Sequence, residues 1–388
     1  MTGVKKLESR NAKIDAWRGI SILLVIAGHL MRFRYEFLVH ITPFRDIRVA
    51  NGSDVLRSII LRLIAPLPNL GVGIFFVISG YLITTILLKE EAKYRAISIP
   101  AFCTRRIFRI LPAFVAFLSV IAILNAVGIV TLPWRSLAGA GLFLCDTAFE
   151  CGNWWVGHTW SLAVEEQFYL VWPLAFSLMV PEIRAKRLVI VYLALIAMSY
   201  FTIFTCVWES DNELSWAFPC ISAGAYFACS PTAMHFVDRF STNRNLIVAL
   251  VLLILAGFFA SANGVLRPFI PLAIAFLFLG TVRCDTFLSG VLSLRWLSKL
   301  GLVSYSLYLW QQFFTGSLEQ GGGAIAQYTA LCLPIAACSY LLIETPMIRI
   351  GHRLSDYLIG QRVAPRNAVR SAATVGVSVR DVSGPKRP

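Results

Sequence analysis

The sequence predicts an all-α integral membrane protein with about ten transmembrane helices packed in one bundle, and three observations lead there. Of 388 residues, 57% are apolar and 14% are charged, against about 25% charged in soluble domains. Mean hydropathy is +0.70. Several uncharged runs reach the length of about 20 residues that a helix needs to cross a hydrocarbon core. An ordinary soluble enzyme is excluded.

The runs between charged flanks place spans at about 15–32, 67–88, 106–130, 160–181, 188–208, 213–229, 245–262, 268–282, 300–318 and 325–343. Five connections are basic: the N-terminal flank with Lys5, Lys6, Arg10 and Lys13, the stretch 89–109, the Arg184 to Arg187 turn, the Arg239 to Arg244 linker and the segment after Arg349. Lys and Arg collect on the cytoplasmic side. Ten crossings would therefore put both termini in the cytoplasm, in a plasma or inner membrane. The stretch 136–150 is the competing element, either an eleventh span or a re-entrant or surface-lying piece. No signal-peptide cleavage pattern precedes the first apolar segment, which is expected to stay as an anchor. Three regions follow: a basic N-terminus at 1–14, a membrane domain at 15–353, and a basic tail at 354–388 expected to be disordered near anionic headgroups.

The formal net charge of +14 is first a topology signal, and nucleic acid is not an expected partner. Nine cysteines include no CxxC pair and no histidine at zinc spacing, so no metal site is expected. Cys145 and Cys151 flank a polar stretch and are either a disulfide of an oxidising compartment or two buried thiols.

Ionisable groups inside apolar spans are costly, about 2.5–3.5 kcal/mol each, and mark where function should be sought. Arg18 and His29 lie eleven residues apart on the first helix, hence on one face and about 16 Å apart along the axis. Imidazole suits proton transfer near neutral pH. Arg105, Arg106 and Arg109 open the third span, with the last two on one face as paired guanidinium forks for phosphates. Positive-inside anchoring is the bland alternative. In the stretch from Thr159 to Pro173, Glu165 and Glu166 point about 100° apart, so at least one turns inward. The final cluster runs from Tyr305 through Tyr308 to Gln311 and Gln312, then Glu344-Thr345-Pro346, either lining a polar cavity or anchoring at the interface.

Together these residues resemble the membrane acyltransferase-3 family. Arg18 and His29 match its Arg-x10-His pattern, Gly73 to Ile83 its second-helix signature, and Arg106 and Arg109 its Arg-x-x-Arg before Pro112. Trp160 to Phe168 resembles its WSL-x-VE-x-QF element, Tyr305 to Trp310 its YSLYLW element, and Glu344 to Pro346 its closing E-x-P. The resemblance spans about residues 12–353. One departure is Gln311, where the family commonly has histidine, which puts a proton-handling role there in doubt. Many members append an SGNH-type domain. The residues after the last motif are too few for one, so a stand-alone transmembrane acyltransferase is expected.

The resemblance implies an acyl-CoA donor, acetyl-CoA foremost with succinyl-CoA as a neighbour, and a bilayer-facing enzyme whose acceptor is a carbohydrate or lipid-linked glycan hydroxyl. The candidate acceptors are lipopolysaccharide, capsule, exopolysaccharide and lipo-oligosaccharide. Arg106, Arg109 and Arg105 would grip the coenzyme A phosphates, and His29 would act as general base with Glu165 orienting it and Arg18 beside the pantetheine path. A covalent acyl-His29 route would use the same residues. Glu166, Trp160, Ser161, Tyr308 and Gln311 are the candidate substrate contacts. The connection 34–62, with five arginines, would suit an anionic glycan. A proton-coupled transporter or flippase using Arg18, His29 and Glu165, or an inactive scaffold, are the alternatives.

Overall fold

The computed structural model describes residues 2–41, 63–147, 151–205, 214–263, 266, 269–315 and 329–360, and among these there is no strand. Three long helices come first: α1 (Thr2–Ile41), α2 (Leu67–Tyr94) and α3 (Ile99–Ala126). The short α4 (Trp134–Gly141) and the single turn α5 (Trp154–Gly157) lead into α6 (Thr159–Leu178). Then follow α7 (Arg184–Thr205), α8 (Leu214–Cys229), α9 (Pro231–Phe240) and α10 (Asn243–Asn263). After them come α11 (Ile270–Arg283), α12 (Phe287–Val291), α13 (Arg295–Leu302) and α14 (Ser304–Thr315). The last helix, α15, begins at Cys332, passes through a π turn at Tyr340–Glu344 and continues to Gly360.

Local chemistry sets the boundaries. Proline stands in the first turns of α2, α3 and α9, where its missing N–H costs nothing. Ser230 caps α9 by accepting from the Ala233 N–H at 3.2 Å. Arg95, in a left-handed conformation with φ 56°, stops α2.

A helix lies on each of the ten apolar runs. Four helical segments are long and apolar enough to cross a membrane: Ala12–Met31, Leu67–Tyr94, Ile99–Ala126 and Cys332–Gly360. The pair Pro231–Phe240 and Asn243–Phe258, bent by 105°, would make a fifth as one span. By this measure the count falls below ten: among the described residues α8, α11 and α14 are only 16, 14 and 12 residues long, and α6, at 20 residues, carries Glu165 and Glu166. α4 has eight residues, about 12 Å of helix, so the described part of the stretch, 136–147, holds no eleventh span. Its Ser136 and Ala140 are buried, and Cys145 and Cys151 form a disulfide. Residues 148–150, and most of the arginine-rich connection 34–62, lie outside the described residues.

Two expected boundaries move. The helix at the C-terminal end extends past 353 to Gly360, because Ser355 is fully buried and accepts from Arg105 Nη1 at 2.6 Å. Residues 361–388 of the expected tail are not described. At the other end, residues 2–14 are continuous with α1 instead of forming a separate segment. Lys13 is buried and reaches Asp285 at 3.2 Å, while the Ala12 carbonyl accepts from Ser298.

The centre of the bundle depends on close helix approach. A Cβ on Gly80 would strike the Ile221 carbonyl oxygen, and one on Gly224 the Val77 carbonyl oxygen, so α2 and α8 touch backbone to backbone. Around that contact, indole donors are satisfied internally: Trp17 Nε1 donates to Thr281 at 2.8 Å and Trp172 Nε1 to Thr84 at 3.0 Å.

Three of the predicted basic connections meet at one end of the bundle: the stretch 89–109, the Arg184 turn and the segment after Arg349. Arg184, its guanidinium 3.9 Å from the Phe176 ring centroid, makes a two-pronged bond to Glu91 at 2.6 and 2.9 Å. Arg105 bonds Glu90 at 2.9 Å, and Arg283 bonds Asp238 at 2.6 and 2.7 Å. Gly224→Leu should force α2 and α8 apart and cost about 3 kcal/mol or more, read as a fall of several degrees in apparent melting temperature in detergent. An unchanged melting temperature would mean that the close approach is not required.

Candidate active site

Spacing on four helices brings the site together. On α6 and its N-cap, His158, Ser161, Glu165 and Tyr169 recur at three- and four-residue steps and so share a face. α1 contributes Arg18 and His29, α3 contributes Arg106, and α14 contributes Tyr305, Tyr308, Gln311 and Gln312.

A cavity of about 90 Å³ lies between these helices, with Arg18, Arg106, Glu165, Tyr169, Ser161 and Tyr308 as its polar lining. Ser79 is a further polar wall residue, and Phe75, Phe76 and Leu82 contribute apolar surface. Ser79 Oγ pairs with the Tyr169 hydroxyl at 2.8 Å, and Ser161 Oγ with the Tyr308 hydroxyl at 2.6 Å. The Arg106 guanidinium stands 5.6 Å from the centroids of both Phe102 and Tyr169. Arg18, Arg106 and Arg109 are all in electrostatic reach of Glu165, and three further carboxylates stand near them: Asp15, 3.8 Å from Arg18 Nη1, Glu166 beside Arg106, and Glu344 beside Arg109 and Arg18. The Nε atoms of Arg18 and Arg106 are buried without a hydrogen-bond partner.

A second layer lies further along α1. His29 Nδ1 is 2.9 Å from Gln311 Oε1, which also accepts from Thr315 Oγ1 at 3.1 Å. His158 Nδ1 is 2.5 Å from Gln312 Oε1. The Trp154 indole meets His29 edge-on at 5.5 Å and donates to the Gln312 carbonyl at 2.9 Å. Tyr308 spans the two layers, because its hydroxyl donates to the His158 carbonyl at 2.9 Å while its side chain lines the cavity.

With this geometry in place, the comparison with known proteins is decisive for the family. The acyltransferase-3 family (Acyl_transf_3, described as an acyltransferase domain) matches residues 11–344. The chain belongs to this family. A Bacillus subtilis (strain 168) protein provisionally named as a peptidoglycan O-acetyltransferase, YrhL, is 26% identical over 88% of this chain and 55% of its own length. O-acetyltransferase OatA of Staphylococcus aureus (strain NCTC 8325 / PS 47) is 25% identical over 74% of this chain and 54% of its own. Peptidoglycan O-acetyltransferase OatA of Listeria monocytogenes serovar 1/2a (strain ATCC BAA-679 / EGD-e) is 27% identical over 87% and 56%. The chain thus spans just over half the length of these relatives. No solved structure matches it.

The family motifs converge in space, with two reassignments. Glu165, expected beside His29, lies instead among Arg18, Arg106 and Arg109, and the imidazole's Nδ1 faces Gln311. The helical rise explains this: Glu165 is seven residues beyond His158, about 10 Å along the axis, and so falls at the Arg18 layer. Arg105, expected to grip phosphate, is held by Glu90 and Ser355 and is absent from the cavity wall. Ser161 and Tyr308 line the cavity, whereas Trp160 packs edge-on against Phe76 at 5.9 Å. Glu166 is outside the lining, with Oε1 buried and unpartnered and Arg106 in electrostatic reach. Among the described residues no group of three metal-ligating side chains could hold an ion.

Sequence reasoning singled out Gln312 only as a member of the final cluster and missed His158, Tyr169, Ser79 and Trp154. For His158 and Tyr169 the helical spacing to Ser161 and Glu165 was a usable signal. Ser79, Gln312 and Trp154 join only through contacts distant in sequence.

The contrast between neighbouring arginines is testable. Arg105→Met leaves the buried Glu90 carboxylate without its cation and should cost about 3 kcal/mol, whereas Arg106→Met removes a buried guanidinium with no ion-pair partner among the described residues and should leave stability intact. Thermal unfolding of both variants in detergent checks this; equal losses would contradict the division of roles.

Proposed function

We propose that this chain transfers an acyl group, acetyl foremost, from cytoplasmic acyl-CoA to a hydroxyl of a cell-envelope carbohydrate. The observation that carries the proposal is the cavity beside Arg18 and Arg106, whose buried Nε donors have no partner. Guanidinium donors left open beside a cavity suit an anionic ligand, and phosphate accepts such forks well. A proton relay needs paired titratable groups instead, so the transporter alternative fits less well. The space holds several waters. An extended chain such as pantetheine could therefore enter it, while the nucleotide end would stay at the basic end of the bundle.

Gln311 supports His29 as general base. A carboxamide oxygen only accepts, so at Gln311 the hydrogen sits on His29 Nδ1, leaving Nε2 as the basic nitrogen. Nε2 takes the proton of the acceptor hydroxyl, the oxygen bonds to the thioester carbonyl carbon, and the C–S bond breaks. The departing thiolate then receives the proton from the His29 cation. Tyr308 and Ser161 would stand beside the reacting carbonyl, and Glu165 would limit the positive charge around the donor. A neutral glutamine thus takes the orienting part first assigned to Glu165.

The gathering of basic connections at one end supports placing that end in the cytoplasm, with ten crossings, both termini inside, and the protein in the plasma or inner membrane. Donor and acceptor then arrive from opposite faces. The names of the relatives make peptidoglycan the first acceptor to test, ahead of lipopolysaccharide, capsule and exopolysaccharide, and succinyl-CoA the second donor.

Membranes containing this chain should move labelled acetyl from acetyl-CoA into an envelope glycan fraction. His29→Ala should lower the rate by at least about a hundredfold, the usual contribution of a general base, and Arg106→Ala should abolish protection of the solubilised protein by coenzyme A. Absence of both transfer and coenzyme A protection in the wild type would reject the proposal.

A further inference from the structure

His158 has no part in the chemistry above, yet its surroundings are built. The ring is 4% exposed, and Phe117 and Tyr308 pack against it with centroids 5.5 and 5.4 Å away. Its Nδ1 lies 2.5 Å from the Gln312 carboxamide oxygen, whereas Nε2 is buried with no hydrogen-bond partner. The carboxamide oxygen can only accept, so Nδ1 carries the hydrogen and Nε2 offers a lone pair.

His29 is held in the same way by the preceding residue of α14, Gln311. Two consecutive glutamines therefore set two imidazoles in one tautomer. The rings are in electrostatic reach of each other, and Trp154 packs on His29 while donating to the backbone carbonyl of Gln312, the residue whose side chain holds His158. A buried acceptor left without a donor is destabilising. A ligand that supplies the donor regains that loss on binding.

We infer that His158 determines acceptor specificity: its Nε2 accepts a hydrogen bond from a second O–H or N–H of the carbohydrate, next to the hydroxyl that His29 activates. This rests on the acyl-transfer reading above. The acceptor class is then a sugar with two neighbouring donors, a vicinal diol or a hydroxyl beside an amide N–H. A site built to hydrogen-bond a substrate hydroxyl discriminates strongly against the analogue lacking it.

The test uses the full chain in detergent, labelled acetyl-CoA, and methyl β-glucopyranoside with its monodeoxy analogues as acceptor probes. Wild type should lose about tenfold or more in kcat/KM on one analogue that keeps the reacting hydroxyl, the effect of one lost hydrogen bond. His158→Phe should lose a similar factor on the parent glycoside, chiefly in KM, and should treat that analogue and the parent alike. His158→Gln, which restores an acceptor atom, should recover part of the preference and serves as the comparison if the phenylalanine variant does not accumulate. Transfer by both variants with the wild-type preference among analogues would overturn the role of His158 alone. Failure of wild type to label any glycoside or the envelope glycan fraction would overturn the acyl-transfer reading itself.

Discussion

A guanidinium inside an apolar helix bundle has no bulk water to solvate it, so the surrounding protein or a ligand must meet its charge. That constraint organises the molecule. Where Arg105 and Arg184 are buried, Glu90 and Glu91 at the end of α2 meet them, and these pairs fasten α3, α7 and α15 to the same end of the bundle. Where Arg18 and Arg106 wall the cavity, carboxylates surround them without a close bidentate pair, Asp15 at 3.8 Å from Arg18 and Glu165 in reach of both, and two Nε donors stay open. The fully paired arginines build the scaffold. The incompletely met ones define the site.

Placing such groups requires helices close enough to share side chains. The α2 and α8 backbones touch at Gly80 and Gly224, which draws the cavity walls together. The π turn at Tyr340–Glu344 adds a residue within one turn of α15 and brings Glu344 to Ser306 of α14. Such turns recur at functional sites because they re-aim a side chain without breaking the helix. The same helix that supplies Tyr308 to the cavity also supplies Gln311 and Gln312 to the histidines. Any shift of α14 would therefore disturb both layers together.

The disulfide and the short helices after α3 serve the histidine layer. Cys145 also accepts from Thr159 Oγ1 at 3.2 Å, one residue from His158. Asn153 caps the turn that presents Trp154, accepting from the Trp155 N–H at 3.0 Å. The described residues 136–147, ambiguous by hydropathy alone, thus brace the histidine layer.

The sequence by itself determined the class, the positions of the helices and the family, because apolar run length, charged flanks and residue spacing are local properties. It also placed Arg18, Arg106, Glu165, Ser161 and Tyr308 as candidates, since a charge or paired hydroxyl within an apolar run is conspicuous in one dimension. Partner choice was decided only by the tertiary structure. Glu165 faces arginines and Gln311 faces His29 because axial rise along α6 and α14 sets which residues share a layer. Arg105 and Arg106 are adjacent in sequence yet point about 100° apart, so one became scaffold and the other cavity wall. His158 shares a helix face with Ser161 and Glu165, which is legible in one dimension, but its partner Gln312 is 154 positions away, and no local pattern joins two residues that only helix packing brings together.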